Sequence, residues 1–265
     1  MKPIHHQARK RFGQNFLHDP QVIGRIVASI NPKDGDNIVE IGPGPGALTR
    51  PILQKAKRMR AIELDRDVIP KLKMFCFGDG ELDIIESDAL KIDFAELADG
   101  PGSLRVIGNL PYNISTPLMF RLFEQIAYIK DMHFMLQKEV VERLVAVPGT
   151  KDYGRLSIMT QYYCQANLLF IVKPGAFNPP PKVDSAIVRL EPKKDAKFIE
   201  TDVKLLNRIV TSAFNLRRKT IRNSLKEFLS EEDFEQLDLN SKERAENLDL
   251  PTFIRITEWV KNRQQ

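Results

Sequence analysis

The alternation of apolar and polar positions divides the chain into two parts. Over the first two-thirds, short apolar runs alternate with stretches whose apolar residues recur at helical spacing. The predicted strands are Asn37–Ile41, Arg58–Leu64, Leu82–Glu86, Leu104–Gly108, Met132–Leu136, Leu168–Val172 and Ser185–Leu190. Strands that alternate with helices predict an α/β fold, with a mostly parallel seven-stranded sheet covered by helices on both faces.

Local signals predict two helix starts and one sheet edge. Asp19-Pro20 and Thr116-Pro117 each place a capping residue before a proline, the arrangement preferred in the first turn of a helix. The last two predicted strands are joined by residues 173–183, which are rich in proline, and not by a crossover helix. Such a connection favours an antiparallel strand at the edge of the sheet.

The pattern changes after Pro192. Residues 195–265 show helical periodicity, few glycines and no strand-like run. We therefore predict an α/β domain over residues 1–192 and a small all-helical domain over residues 193–265.

The composition is that of a globular protein. Of the 265 residues, 42% are apolar and 28% are charged, which excludes a disordered or collagen-like chain. No apolar run approaches the roughly 20 residues of a membrane span, and residues 1–16 are basic and polar, unlike a secretory signal. The two cysteines, Cys76 and Cys164, and the four histidines show no metal-ligand spacing. We expect no metal, no membrane partner and a cytoplasmic location.

Positive charge is concentrated in two segments of a chain whose net charge is +5. The first precedes the first acidic residue, Asp19, and contains Lys2, Arg9, Lys10 and Arg11. The second has seven bases and no acid between Asp202 and Glu227: Lys204, Arg208, Arg217, Arg218, Lys219, Arg222 and Lys226. Charge segregated in this way favours a nucleic-acid face, and a solvated helix face is the alternative.

A glycine-rich turn follows the first predicted strand. The sequence Gly42-Pro43-Gly44-Pro45-Gly46-Ala47 gives the strand–turn–helix order of nucleotide-binding βα units. Glycine lets a ligand approach the backbone closely, so Gly42 and Gly44 are candidate cofactor-binding residues. A tight turn without a ligand is the alternative.

Acidic residues end the next two predicted strands. Glu63 lies about 20 residues beyond the glycines, where an acid accepts hydrogen bonds from ribose hydroxyls. Asp88 follows the third strand and is placed to accept from an adenine amine. Each of these acids taken singly also fits a helix N-cap. Together with the glycine turn, they predict an adenosine site along one edge of the sheet.

The spacing favours a cofactor that contains adenosine but no phosphate. The chain lacks the G-x-x-x-x-G-K-[ST] loop that holds phosphates, and Pro43 and Pro45 remove N–H donors from the turn. We therefore predict S-adenosylmethionine as the cofactor. A nicotinamide dinucleotide is the alternative that the Gly42-x-Gly44-x-x-Ala47 spacing leaves open.

The fourth predicted strand ends in Asn109-Leu110-Pro111-Tyr112, which looks like the [D/N]-P-P-[Y/F] motif of amino-methyltransferases. An adenine N6 is a poor nucleophile because its lone pair is delocalised into the ring. The Asn109 side-chain oxygen and the Leu110 carbonyl can hold the two amine hydrogens, so that the lone pair points at the methyl donor. Pro111 stiffens the turn, and Tyr112 offers a ring on which the base can stack. We expect no strong general base.

Nearly the whole chain resembles the rRNA adenine N6,N6-dimethyltransferases of the small-subunit, ribosome-biogenesis branch. The segments that carry the resemblance are Arg11–Leu17, Glu40–Gly46, Asn109–Ser115, Gly175–Ser185 and Ala213–Lys219. The resemblance implies a class I, Rossmann-like methyltransferase domain followed by a helical domain that binds RNA.

The resemblance also implies roles for further residues. Asn15 and Leu17 match positions that contact the methionine part of the cofactor, and Phe177 matches an aromatic that flanks the flipped base opposite Tyr112. An aromatic packed under the proline loop is the alternative for Phe177. The residues expected to bind RNA are Arg9, Lys10, Arg11, Arg217, Arg218, Lys219 and Arg222.

The implied reaction dimethylates two adjacent adenines near the 3′ end of small-subunit rRNA, within a pre-ribosomal 30S-type particle, and a monomer is expected. Three alternatives remain at this point. They are a large-subunit rRNA methyltransferase of the macrolide-resistance type, a nicotinamide-dependent oxidoreductase, and a non-catalytic RNA-binding assembly factor.

Overall fold

The computed structural model of this chain describes residues 15–111, 114–193, 201–215 and 218–263. Its strands are β1 (Phe16–Leu17), β2 (Asn37–Ile41), β3 (Arg58–Glu63), β4 (Glu81–Glu86), β5 (Leu104–Asn109), β6 (Ile129–Gln137), β7 (Cys164–Val172), β8 (Phe177–Asn178) and β9 (Ser185–Pro192). Its helices are α1 (Pro20–Ile30), α2 (Thr49–Ala56), α3 (Ile69–Phe75), α4 (Ser115–Glu124), α5 (Lys138–Val145), α6 (Arg155–Tyr163), α7 (Val203–Asn215), α8 (Ile221–Ser224), α9 (Glu231–Gln236) and α10 (Leu250–Arg263). No helix within the described ranges is long and apolar enough to cross a membrane.

Seven strands form one sheet in the order β4-β3-β2-β5-β6-β9-β7. The first five strands of this order pair in parallel, and β9 pairs antiparallel to β6. The α/β fold and the mostly parallel seven-stranded sheet are therefore confirmed. The strand order reverses between β2 and β5, which is where open α/β sheets bind ligands.

The last strand departs from the sequence prediction in its position. It is antiparallel, as expected, but β9 lies between β6 and β7, and β7 forms the edge. The sequence prediction placed the last strand at the edge because of its short connection to β7. In the structure five of the first six residues of β9 are buried, and a position inside the sheet buries more apolar surface than an edge position would. The two-residue strands β1 and β8, which pair antiparallel with each other, were not predicted.

The two predicted helix starts differ in outcome. Asp19 caps α1, and its Oδ1 accepts from the N–H groups of Gln21 at 2.8 Å and Val22 at 3.2 Å. The second prediction was wrong by two residues, because α4 begins at Ser115 after an Ile114 cap that makes no side-chain bond. Pro117 therefore lies within the first turn, where its missing N–H costs no helical hydrogen bond.

The chain packs as two compact units. The first contains Met1–Val141 and Asn167–Pro192, and the second contains Glu142–Ala166 and Lys193–Gln265. Residues 142–166, which the sequence prediction included in the α/β domain, thus pack with the C-terminal helices. Tyr153 and Ile158 of this segment are buried in one apolar core with Ile209, Phe253 and Ile256 of that unit.

Helices make up the regular structure described beyond residue 201, apart from a single bridge between Thr220 and Arg244. The helical prediction for the C-terminal part is confirmed. Asp233 is buried in this part, and its carboxylate accepts from the Ser230 N–H at 2.7 Å and from the Trp259 indole N–H at 3.0 Å. The Arg263 guanidinium also pairs with it.

Candidate functional site

A cavity of about 400 Å³ opens at the carboxyl edge of the sheet in the first unit. The residues that follow β2, β3, β4 and β5 all line it, because the carboxyl ends of parallel strands meet at one edge. The sequence-predicted residues that line it are Asn15, Leu17, Gly42, Gly44, Glu63, Asp88, Asn109, Leu110 and Pro111.

The glycine turn forms one wall of this cavity. Gly42 and Gly44 have φ angles of 66° and 54°, in the left-handed region that glycine adopts without strain. A Cβ atom on Gly44 would lie 3.3 Å from the Phe16 ring, so a side chain here would displace the ring. The turn therefore needs glycine both for its conformation and for the close approach of Phe16.

Glu63 ties the end of β3 to this turn. Its side chain is buried, with Oε2 accepting from the Gly44 N–H at 3.2 Å and Oε1 accepting from the Asp65 N–H at 2.8 Å. Burial raises the pKa of Glu63, although the Asp65 and Gly44 N–H groups favour its ionised form. Each carboxylate oxygen has a second lone pair, so Glu63 can also accept from ligand hydroxyls.

Asp88 is both an N-cap and a cavity residue. Its Oδ1 accepts from the Leu90 N–H at 3.0 Å and caps the short 3₁₀ turn Ala89–Lys91. The cap and the proposed contact with an adenine amine use different lone pairs of one carboxylate, so the two roles are compatible.

Glu40 was quoted in the sequence analysis as part of a motif but was given no role. In the structure it is buried, lines the cavity, and carries an Oε2 without a hydrogen-bond partner among the described residues. Burial, together with the negative charge of Glu63, raises its pKa to about 7, and the Thr49 hydroxyl opposes this shift. The signal in the sequence is an acid inside an otherwise apolar strand, directly before the glycine turn.

Asn109 ends β5 directly beside the glycine turn. The approach of β5 to β2 requires Gly108, because a Cβ atom there would lie 2.5 Å from the Ile41 carbonyl oxygen. The Asn109 Nδ2 donates to the main-chain oxygen of Asn15 at 3.2 Å. The following Leu110 N–H donates to the Met135 carbonyl at 3.1 Å, which holds the turn to β6.

The N-terminal strap, residues 15–17, lines the cavity, and its Phe16 and Leu17 pair with β8. Leu17 is opposite Phe177 in this ribbon, and the N–H of His18 donates to the Ala176 carbonyl at 3.0 Å. Leu17 is buried, as expected for a residue that lies between the cavity and the core.

Phe177 does not line the cavity. Its ring is 3% exposed and packs in the same apolar core as Leu17, Val27 and Ile187. The structure therefore gives it the packing position that was the alternative in the sequence analysis. Contact of Phe177 with a flipped base stays a prediction.

The predicted RNA-binding residues are only partly described. Arg9, Lys10, Arg11 and Arg217, together with Tyr112, which is predicted to stack on the base, lie outside the described residues. Arg218, Lys219 and Arg222 belong to the second unit and are exposed, and Arg222 forms an ion pair with Glu231.

The charge of the cavity indicates the kind of ligand it fits. Four acids line it, Glu40, Glu63, Asp65 and Asp88, and among the described lining residues there is no lysine or arginine. Such a lining repels a pyrophosphate and attracts a cation. The donor set therefore fits S-adenosylmethionine better than a nicotinamide dinucleotide. The described residues contain no cluster of three or more His, Cys, Asp or Glu placed to hold a metal ion.

Comparison with known proteins relates the chain to rRNA methyltransferases. It is 57% identical over 251 residues to ribosomal RNA small subunit methyltransferase A of Pseudomonas aeruginosa, covering 95% of this chain and 94% of the relative. It is 53% identical over 261 residues to the protein of the same name from Aeromonas hydrophila, covering 98% and 96%.

Solved structures agree with these sequence matches. A dimethyladenosine transferase from Plasmodium falciparum superposes with a TM-score of 0.81 at 29% identity, covering 94% of this chain and 98% of that one. The 23S rRNA methyltransferase ErmE, at a TM-score of 0.69 and 23% identity, covers 93% and 100% and shows the shared fold. The sequence model of the ribosomal RNA adenine dimethylase family matches residues 5–262, and the chain belongs to that family.

Proposed function

We propose that this chain transfers methyl groups from S-adenosylmethionine to the N6 amines of two adjacent adenines near the 3′ end of small-subunit rRNA. The products are N6,N6-dimethyladenines, made while the small subunit is assembled. The observation that carries this function is the meeting of the Asn109–Pro111 motif with an acid-lined adenosine site in one cavity. Membership of the rRNA adenine dimethylase family and relatives named small subunit methyltransferase A support it.

The cofactor would be held by residues from four strand ends. Glu63 accepts from the ribose hydroxyls, Asp88 accepts from the adenine amine, and the glycine turn with Asn15 and Leu17 borders the methionine part. When bound, S-adenosylmethionine supplies an electrophilic methyl group on a sulfonium that is already a good leaving group. The acids around the cavity stabilise positive charge there.

The acceptor adenine would be oriented by the end of β5. The Asn109 Oδ1 and the Leu110 carbonyl accept the two N6 hydrogens, which directs the nitrogen lone pair toward the methyl donor. The site carries no requirement for a strong base, because methylation itself makes the amine acidic. Pro111 limits the conformations of this turn, and Tyr112 and Phe177 are proposed to hold the base after it leaves its stack.

The rRNA phosphates would be contacted by basic side chains from residues 193–265 and from the N-terminal segment. Arg218 and Lys219 are exposed, whereas Arg222 must exchange Glu231 for a phosphate. Binding should weaken steeply with salt, since each phosphate contact releases counterions. The proposed partner is a pre-ribosomal 30S-type particle in the cytoplasm, approached by a monomer.

The alternatives are weaker on specific grounds. The large-subunit enzyme ErmE shares only 23% identity, against 53–57% for the relatives named for the small subunit. A nicotinamide dinucleotide would bring a pyrophosphate to a cavity lined by four acids. A purely structural assembly factor leaves the Asn109 motif without a purpose.

Methyl transfer from labelled S-adenosylmethionine to under-methylated small subunits tests the proposal. We expect N6,N6-dimethyladenine in small-subunit rRNA, and a loss of about 10²- to 10³-fold in Asn109→Ala, which removes one acceptor of the oriented amine. Asn109 is also a predicted cofactor-binding residue and lines the cavity, so calorimetry measures cofactor binding separately in this variant. Label in large-subunit rRNA, or no transfer despite cofactor binding, would refute the proposed substrate.

A further inference from the structure

The N-terminal strap contacts the acceptor motif through one main-chain atom. The carbonyl oxygen of Asn15 accepts from the Nδ2 of Asn109 at 3.2 Å. The strap itself is fixed on its far side, because Phe16 and Leu17 pair with β8 and the His18 N–H donates to the Ala176 carbonyl. The position of the Asn15 oxygen is therefore set by the ribbon and not by a mobile side chain.

The chemistry of an amide makes this contact directional. An asparagine side chain has two donor hydrogens on nitrogen and an acceptor oxygen, while a main-chain carbonyl can only accept. If the Asn109 amide were rotated by half a turn, its Oδ1 would face the Asn15 oxygen and two acceptors would repel each other. The Asn15 carbonyl thus excludes one of two amide orientations that are nearly equal in shape.

We propose that the main-chain carbonyl of Asn15 is a positioning group, which turns the acceptor oxygen of Asn109 toward the substrate and so makes the site select an amine. The proposal rests on the methyl transfer described above and adds how its acceptor geometry is set. It also explains why asparagine, and not aspartate, suits position 109 in this fold. An ionised aspartate would place a carboxylate oxygen against the Asn15 carbonyl.

The substitution Asn109→Asp tests this role through pH. Protonation of the introduced carboxyl supplies an O–H donor for the Asn15 oxygen and restores a neutral acceptor for the amine. At pH values above the pKa of this carboxyl, its protonated fraction rises tenfold for each unit by which the pH is lowered. We expect the methyl-transfer rate of Asn109→Asp, divided by that of the wild type at the same pH, to rise at least about 10-fold from pH 8 to pH 5.5.

Other ionisable groups border the same cavity, so a background control is needed. Glu40, Glu63, Asp65 and Asp88 line it, and His18 follows the strap. The acids also favour protonation of a new carboxyl, whether or not the Asn15 oxygen takes part. Division by the wild-type rate corrects for the titration that the variant and the wild type share, and a change in the strap alone isolates the effect of the Asn15 oxygen.

Two substitutions at His18 provide that matched pair. His18→Pro removes the N–H that donates to Ala176 and loosens the strap, and the extended Leu17 before it is compatible with proline. His18→Ala keeps the N–H and removes the imidazole. We expect the pH-dependent rise of Asn109→Asp to persist in the His18→Ala background and to shrink several-fold in the His18→Pro background.

A carbon-13 titration of the introduced carboxyl gives a readout without rRNA. In the free enzyme its pKa should lie above the ordinary aspartate value, and it should fall when His18→Pro is added but not when His18→Ala is added. Equal pKa values in the two backgrounds would overturn the proposal. So would a rate ratio that is flat with pH, including a folded Asn109→Asp that is inactive throughout. A wild type that transfers no methyl to small subunits would instead refute the proposed function, and the titration would still decide the role of Asn15.

Discussion

The two ends of the parallel sheet bury charge in opposite ways. At the amino end, Arg105 lies between Asp36 and Asp131, donating to the first at 2.6 Å and to the second at 2.9 and 3.0 Å. Its Nη2 also donates to the Ile30 carbonyl at 2.6 Å. Although burial opposes it, the pKa of Asp36 stays below its usual value, because the Lys33 N–H and Arg105 favour the carboxylate.

At the carboxyl end, acids face one another, and no lysine or arginine is among the described residues that line the cavity. Burial and the charge of Glu63 raise the pKa of Glu40, and burial with the charge of Asp65 raises that of Glu63. A buried charge without a partner lowers stability. The comparison indicates that the paired charges at the amino end stabilise the fold. The acids at the carboxyl end lower the stability of the free protein and form a site that favours a bound cation.

The largest effect is expected from Arg105→Met, which keeps much of the side-chain volume and takes the buried guanidinium away from the part-buried Asp36 and Asp131. Asp131 then loses its Arg105 partner, and Asp36 keeps only the half-exposed Lys130 at 3.4 Å as a cation. Breaking a buried ion pair from one side costs about 3–5 kcal/mol. Native-state hydrogen exchange of the β5 and β6 amides measures the free energy of opening. A loss below about 1 kcal/mol would mean that the amino-end network does not stabilise the sheet.

The next effect is the pH dependence that Glu40 imposes on stability. Its pKa of about 7 in the folded chain lies above its ordinary value of 4.5, so the folded state holds a proton that the unfolded state loses. The stability that Glu40 contributes at low pH is therefore lost as pH rises from about 4.5 to 7. Relative to the wild type, the free energy of unfolding of Glu40→Gln should increase by about 3 kcal/mol as pH rises over that range, at 1.36 kcal/mol for each pKa unit.

His133, in the middle of β6, provides the opposite slope. Burial lowers its pKa to about 4 from 6.5, so the folded state resists a proton that the unfolded state accepts. Stability is lost as pH falls from about 6.5 to 4, and His133→Gln should remove that loss. The same hydrogen-exchange series on both variants checks the signs, and two slopes of equal sign would contradict the comparison.

A smaller effect is expected on cofactor affinity from Glu63→Gln. The hydrogen bonds of a charged carboxylate to ribose are worth about 1.5–3 kcal/mol, or about 10- to 100-fold in Kd. Glu86→Gln is the matched control, since Glu86 ends the neighbouring strand but does not line the cavity. Calorimetry with S-adenosylmethionine should show weakened binding in the first variant only. Equal affinities of the two variants for S-adenosylmethionine would show that Glu63 does not bind the cofactor.

The smallest effect is expected from Arg66→Ala. Arg66 pairs with Glu86 on the surface, with side chains that are 82% and 43% exposed. Solvent screens such a pair, and it contributes about 0.5 kcal/mol or less to the free energy of unfolding. A loss comparable to that of Arg105→Met in the same exchange experiment would show that burial does not distinguish these ion pairs.

The strand ends were predictable from sequence because the signals are local. A strand, a glycine turn and a following acid specify Gly42, Gly44, Glu63 and Asp88 by spacing, and parallel pairing brings them to one edge. Asn109 joins them for the same reason. The cavity lining follows from these few positions.

Other features depend on contacts between distant segments. The pairing of Phe16–Leu17 with Phe177–Asn178 has two residues on each side, too short for any periodicity. The burial of Phe177 and the position of β9 inside the sheet result from packing against the rest of the first unit. Similarly, residues 142–166 have the same helical pattern whichever core they join.

The most direct test of the contrast between the sheet ends is the proton exchange that accompanies cofactor binding. Calorimetric titration of S-adenosylmethionine at pH 7, in two buffers of different ionisation enthalpy, measures it. We expect up to about half a proton to be released, because a cation that enters beside Glu40 favours its ionised form. Release should be smaller with S-adenosylhomocysteine, which lacks the sulfonium charge, and absent in Glu40→Gln. Cofactor binding without proton release, or with equal release in Glu40→Gln, would contradict the claim that the acids at the carboxyl end form a site for a cation.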